Sequence, residues 1–186
     1  MKRLFDIIFV VAMLPLLALP MVLIALLVCL TSPGPVIYWS DRVGTHNRIF
    51  RMPKFRTMKA GTPAITTHLL PDPDTCVTTF GKFLRVTSLD ELPQLWSILR
   101  GEMSVVGPRP ALFNQDDLIA LRSEAGVEKI TPGLTGWAQV NGRDALATAE
   151  KARLDEAYMR DQSFVFDLKI IFLTFDRVLR CQDISH

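Results

Sequence analysis

Hydrophobic and polar positions are spread unevenly along the chain. No charged residue occurs from Ile7 to Leu30, whereas charge is dense on both sides of that run. As a helix the run is roughly 36 Å long, enough to reach across a hydrocarbon core of about 30 Å, so the pattern predicts a membrane segment. Met1-Lys2-Arg3 gives it a basic start like that of a cleaved signal peptide. The apolar run is too long for one, however, and Thr31-Ser32-Pro33-Gly34-Pro35 offers no small-x-small cleavage pattern. Pro15 and Pro20 each remove a backbone hydrogen bond and predict a bent helix. Lys2 and Arg3 precede the run, and Arg42, Arg48, Arg51, Lys54, Arg56 and Lys59 follow it, so the positive-inside rule draws both ends to the cytoplasmic face. A re-entrant helix that breaks near Pro20 satisfies both ends. A tilted spanning helix with tolerated prolines is the alternative, and the residue pattern leaves both open.

Past the Pro/Gly breaker the pattern becomes that of a small mixed domain. Val36-Ile37-Tyr38-Trp39 reads as a short strand, with Tyr38 and Trp39 placed for headgroup depth. Residues 61–80 are rich in Thr, Pro and Asp and lack a clear period, which predicts a mobile loop or lid over the site. Helices are expected over 92–99, 114–126 and 145–161. A strand is expected at Trp137 to Val140, followed by an Asn141-Gly142 turn. Over 164–180, Phe164, Leu168, Ile171, Phe172, Phe175, Val178 and Leu179 form one stripe opposite Lys169, Asp176 and Arg180. That amphipathic helix suits a membrane interface or the domain core equally. The expected fold is α+β and mainly helical, with a membrane helix and breaker over 1–35 and a small cytoplasmic domain over 36–186.

Composition narrows the function. The 186 residues leave room for one domain and its appendage. A net charge of +2 without an aromatic-interleaved basic stripe argues against nucleic acid. Cys29, Cys76 and Cys181 are odd in number and far apart, which suits neither a disulfide framework nor a zinc site and points to a reducing compartment.

The candidate chemistry centres on Thr87-Ser88-Leu89-Asp90-Glu91-Leu92-Pro93. Ser88 and Glu91 have capping-box spacing, so a plain helix start is one reading. Pro93 lies too deep for a clean start at Leu89 and should loosen the first turn, giving two adjacent carboxylates separate tasks. A helix N-terminus would lower the pKa of Asp90 and keep it ionised as a nucleophile or hard-metal ligand, and it would attract phosphate. Lys54, Arg56, Arg85 and Arg109 are the cations available to oppose phosphate charge, Arg109 being pre-set between Pro108 and Pro110.

These residues fall within longer motifs. Lys54-Phe55-Arg56-Thr57-Met58, Thr87 through Leu95, Gly101-Glu102-Met103-Ser104-Val105-Val106-Gly107-Pro108-Arg109-Pro110 and Pro132-Gly133-Leu134-Thr135-Gly136-Trp137-Ala138-Gln139-Val140 together resemble the bacterial sugar transferases, the monotopic phosphoglycosyl transferases. The likeness runs in order over nearly the whole chain and is to the short, catalytic-core members. It implies a ping-pong transfer of a sugar phosphate from a UDP-sugar to undecaprenyl phosphate. Asp90 would be the covalent nucleophile, UMP the first product and Mg2+, held by Asp90 and Glu91, the cofactor. Glu91 would orient the metal or deprotonate the acceptor.

The resemblance also implies a re-entrant helix with both ends cytoplasmic, on the bacterial inner membrane among its lipids. Downstream glycosyltransferases would be partners in O-antigen, capsule or glycoprotein synthesis. Gln139, Asn141 and Arg143 are carried as nucleotide-sugar contacts, and Asp155 and Asp167 as supports, beside the similarly placed Lys151 and Tyr158. Ser40, Ser97 and Glu102 depart from the family's commoner glutamine, asparagine and aspartate without removing a catalytic residue. The sugar stays open between an N-acetylated amino sugar, such as di-N-acetylbacillosamine, and galactose or glucose. A non-catalytic lipid-presenting module and a nucleotide-sugar hydrolase are the rival readings.

Overall fold

The computed structural model describes residues 2–62, 73–142 and 145–180. Arg143, Cys181 and positions 63–72, the middle of the expected 61–80 loop, lie outside the described residues.

Helix α1 (Lys2–Thr31) runs unbroken through Pro15 and Pro20. The break expected near Pro20 is therefore not seen. Each proline forfeits one i→i−4 bond, and the flanking turns, still bonded, carry the helix across. The helix lies along the domain throughout its length. Val10 packs in a cluster with Met52, Leu95 and Ile98, and Ile24 and Val28 pack with Phe55 and Leu84. Polar ties fix both ends. Lys2 donates to Asp167, and Arg3 to the carbonyls of Ile98 and Leu99. Buried Asp6 accepts from Ser104 Oγ and Val105 N at 3.0 and 2.9 Å, while past the far end the Ser32 carbonyl accepts from Arg56 at 2.6 Å. The outward row, including Leu4, Ile8, Val11, Leu16, Leu19, Leu23, Leu26 and Leu30, is exposed.

β1 (Ile37–Val43) and β2 (Ile49–Phe55) form an antiparallel hairpin in register from Ile37↔Phe55 to Val43↔Ile49. The strand expected at 36–39 is thus longer, because its partner supplies a continuous ladder. A short strand β4 (Ala111–Leu112) pairs with the other edge of β1. Separately, β3 (Ser104–Val106) pairs in parallel with β5 (Gly133–Thr135). This pairing overturns the strand expected at Trp137 to Val140, where a 3-10 turn, Gln139–Asn141, is found instead. Gly107, Gly133 and Gly136 explain the shift. A Cβ on Gly133 would run into the Gly107 nitrogen, and one on Gly136 into the Gly107 carbonyl. Only glycines let the two segments approach this closely, so pairing takes residues 133–135 and leaves the aromatic stretch to turn away.

Helices complete the domain. α2 (Pro73–Cys76) and α3 (Thr79–Val86), the latter capped by Thr78 Oγ1 on Gly81 N at 3.0 Å, occupy part of the region expected to be a loop. The helix expected over 92–99 divides into a 3-10 segment, Leu89–Gln94, and α4 (Leu95–Arg100). α5 (Asp116–Glu124) is shorter than expected at both ends, and α6 (Thr148–Asp161) at its start only.

α7 (Phe164–Arg180) divides between the core and the surface. Asp167 and Ile170 are buried and Phe166 and Leu173 pack on the core, whereas Phe164, Val165, Leu168, Phe172, Phe175 and Val178 are exposed. Five residues of the expected stripe, Phe164, Leu168, Phe172, Phe175 and Val178, thus face outward, while Ile171 packs against the core.

Candidate active site

The Asp90–Glu91 segment begins at an unusual corner. Ser88 adopts a left-handed conformation (φ 56°) and makes no side-chain cap, so the expected capping box is absent. Pro93 cannot donate to the Leu89 carbonyl, and the chain takes up the tighter 3-10 repeat, three residues per turn. Adjacent side chains in that repeat diverge by about 120°, which sends the two carboxylates to different neighbours. Asp90, Glu91 and Gln94 are all buried, with the segment packed over β2.

Lys54, near the end of β2, reaches Glu91 Oε1 at 2.9 Å. Arg109 grips the same carboxylate as a fork, at 2.7 Å to Oε1 and 3.3 Å to Oε2. Glu91 is thus neutralised by two cations. Asp90 differs: among the described residues no hydrogen bond or ion pair ties down its carboxylate, although Lys54, Arg109 and Arg85 act on it through their charge.

The expected lowering of the Asp90 pKa is overturned. Burial raises it above the usual carboxylate value, Glu91's charge adds to the rise, and the three cations only partly oppose it. A single irregular turn has little dipole to offer against desolvation. Burial likewise lowers the pKa of Lys54, with Glu91 pulling the other way. The result is a buried, compact set of two carboxylates and several cations, with one carboxylate clamped and the other, among the described residues, left without a bonded partner.

The remaining candidates separate by position. Arg85 bonds Thr57 Oγ1 at 3.0 Å and remains within the field of Asp90. Arg56 does not join the Glu91 cluster: its NH2 is given to the Ser32 carbonyl and it is buried beneath Gly34, so it fastens the exit of α1 to the domain. Gln139 and Asn141 donate to carbonyls just ahead of their turn, those of Leu134 and Trp137, at 2.9 and 2.7 Å. Asp167 accepts from Lys2 at 2.6 Å and from Tyr158 Oη at 2.7 Å, which ties the start of α1 to α6 and α7.

Asp155 is connected to the Arg109 backbone through a residue the sequence reading missed. Arg122 donates to Asp155 Oδ2 from Nε and NH2 at 2.9 and 2.6 Å, and from NH1 to the Arg109 carbonyl at 2.9 Å. Arg122 therefore fixes the backbone from which Arg109 reaches Glu91. Arg42, also overlooked, bonds the Pro110 carbonyl at 3.2 Å and adds positive charge near Lys54. The sequence signal was indirect: a buried Asp155 requires a cation, and α5 offers Arg122 on the facing side. Asp155→Ala should leave that guanidinium buried without its partner and cost about 3–5 kcal/mol, measurable by denaturant titration. Loss of less than about 1 kcal/mol, the range of an exposed pair, would remove the clamp from the account.

A family model described as bacterial sugar transferase matches residues 1–181. The chain is similar to the uncharacterized sugar transferase EpsL of Bacillus subtilis (strain 168), with 38% identity covering 100% of this chain and 90% of that protein. It is also similar to the UDP-glucose:undecaprenyl-phosphate glucose-1-phosphate transferase of Escherichia coli (strain K12), at 42% identity over 94% of this chain and 39% of that protein. With the UDP-N-acetylgalactosamine-undecaprenyl-phosphate N-acetylgalactosaminephosphotransferase of Aeromonas hydrophila it shares 37% identity over 96% of this chain and 43% of that one. The chain thus spans about two-fifths of these two enzymes and nearly all of EpsL.

Proposed function

The chain belongs to the bacterial sugar transferase family, and from that premise we propose that it moves a sugar 1-phosphate from a UDP-sugar to undecaprenyl phosphate, releasing UMP. The observation that carries this reading is the unequal treatment of the two carboxylates, Glu91 clamped by Lys54 and Arg109 and Asp90 beside them with no hydrogen bond or ion pair among the described residues. In the first half-reaction an Asp90 oxygen attacks the phosphorus bonded to the sugar, the bond to the uridylyl phosphate breaks, and UMP leaves. In the second, an oxygen of undecaprenyl phosphate attacks that phosphorus and Asp90 departs as a free carboxylate. Splitting the transfer lets one desolvated nucleophile serve two substrates that need never be bound together. Lys54, Arg85 and Arg109 oppose the charge of the diphosphate.

Magnesium fits this donor set. Among the described residues no group of three or more His, Cys, Asp or Glu side chains is placed to hold a metal. Mg2+, however, is commonly bound by one or two carboxylates with substrate phosphates and water completing the shell. Asp90 and Glu91 would hold it. When bound, it would neutralise charge on the leaving nucleotide.

The ties of α1 support a membrane arrangement with both of its ends on one side. The domain that binds Lys2, Arg3 and Asp6 at one end also binds Ser32 and packs on Val28 at the other. A helix tied to one domain at both ends keeps both ends on that domain's side with no break at Pro20, which favours a helix at one membrane face over a spanning one, and the positive-inside rule would make that face cytoplasmic, where nucleotide sugars are found. α7 joins the same surface: Phe164 meets Phe5 of α1 edge-on with centroids 5.3 Å apart, so its exposed apolar row continues that of α1 into the interface.

The test is UMP release by the purified, detergent-solubilised chain with magnesium, undecaprenyl phosphate present or absent, and a panel of UDP-linked glucose, galactose, N-acetylgalactosamine and di-N-acetylbacillosamine. Release that requires the lipid and one donor supports the transfer and names the sugar. Release without lipid supports the hydrolase instead. Topology is read separately. A membrane-impermeant thiol reagent should fail to label a cysteine tag ahead of Lys2 in sealed cells, and labelling would mean that α1 spans the bilayer.

A further inference from the structure

Among the described residues a second open site lies away from Asp90, a cleft of about 470 Å3 lined by Trp39, Arg51, Trp96, Arg100 and Glu102. Trp39 and Trp96 are 44% and 54% exposed, a large cost in uncovered aromatic surface unless something covers it. The Arg51 guanidinium lies 5.5 Å from the centre of the Trp39 ring. Trp96 and Arg100, four residues apart on α4, share one face, and Arg100 Nε meets Glu102 Oε1 at 3.1 Å.

The cleft is tied to both ends of α1. Trp39 stands on the first strand after the helix exits, and α4 carries Arg3 of the helix start on its Ile98 and Leu99 carbonyls. This rests on the reading of α1 as a membrane helix with both ends at one face, because those ends then mark headgroup depth, where tryptophan and arginine concentrate.

The charges select the occupant. Two guanidiniums can take one phosphate through fork contacts. A free phosphate monoester would use only these and would meet repulsion from Glu102. A headgroup that joins a phosphodiester to a primary ammonium uses every group: the arginines take the phosphate, and Glu102 with the indole faces takes the ammonium. We propose that this cleft binds the phosphoethanolamine headgroup of a membrane phospholipid, holding the domain at fixed depth beside its membrane helix.

Native mass spectrometry of the full chain released from nanodiscs with equal phosphatidylethanolamine, phosphatidylcholine and phosphatidylglycerol tests it. Phosphatidylethanolamine should be retained over each of the others by at least about fivefold, and the doubly substituted R51Q/R100Q protein should lose that excess. Both arginines are exposed, so the variant should fold and its UMP release should be unchanged. Glu102→Gln should shift retention toward phosphatidylglycerol. Equal retention of the three lipids by the unaltered protein, or undiminished retention by R51Q/R100Q, would overturn the proposal. The readout counts lipids and not turnover, so failure of the transferase reading would appear in UMP release alone, and failure of the topology in thiol labelling.

Discussion

Asp90→Asn is expected to lower UMP release by roughly 10^4-fold or more while the protein remains folded. The amide has nearly the shape of the carboxylate but cannot form the acyl-phosphate bond. Because the carboxylate of Asp90 is buried and makes no hydrogen bond or ion pair among the described residues, no partner is orphaned by the change. Its effect on stability also has a definite sign. The native carboxyl holds its proton to higher pH than the unfolded chain does. Through that window the native state binds more protons, so this group's contribution to stability falls as pH rises. An uncharged amide at this position removes the loss, and the variant should unfold at an equal or higher temperature near neutral pH. Intact-mass analysis after mixing with the UDP-sugar that supports turnover should show a phosphosugar adduct on the unaltered chain and none on the variant. An Asp90→Asn protein that keeps a tenth of the activity would end the covalent mechanism.

How much of this was legible in the sequence depends on the length scale over which each feature is decided. The apolar run from Ile7 to Leu30 and the amphipathic period of α7 are local patterns, and a period or a charge gap is enough to read them, whereas the direction the α7 stripe faces is set by its packing. Lys54, Asp90, Glu91 and Arg109 were read from short motifs, and the structure brings the four together. What the sequence could not supply was set by distant partners. β5 takes Gly133–Thr135, and not the aromatic stretch after it, because Gly107 lies against Gly133 and Gly136. Asp155 and Asp167 looked alike as acidic positions near the end of the chain. One pairs with Arg122 under the Arg109 loop, and the other with Lys2 at the far terminus. The Asp90 pKa was misread for the same reason. A helix-start argument is local, and the burial that outweighs it comes from packing on β2.

Glu91→Gln is the second large effect expected, and it separates clamping from nucleophilic attack. Glu91 is the shared counter-ion of Lys54 and Arg109. The substituted side chain would keep one oxygen for a hydrogen bond but leave two neighbouring cations unneutralised in a buried site, a cost of about 3 kcal/mol. Asp90 would then become their nearest counter-charge and be drawn toward them, away from the geometry of attack. A fall in turnover of roughly 10^2- to 10^3-fold is expected, with the adduct still detectable at long times, unlike Asp90→Asn. The pH profile should move as well. Burial already lowers the Lys54 pKa, and Glu91 is the largest influence holding it up. Without that charge Lys54 should lose its proton at lower pH, so the alkaline limb of the activity profile should shift toward neutrality. An unshifted limb with reduced turnover would mean that Lys54 does not need its charge for the reaction. Activity that survives Glu91→Gln intact would leave Arg109 and Lys54 as the phosphate grip and remove Glu91 from the chemistry.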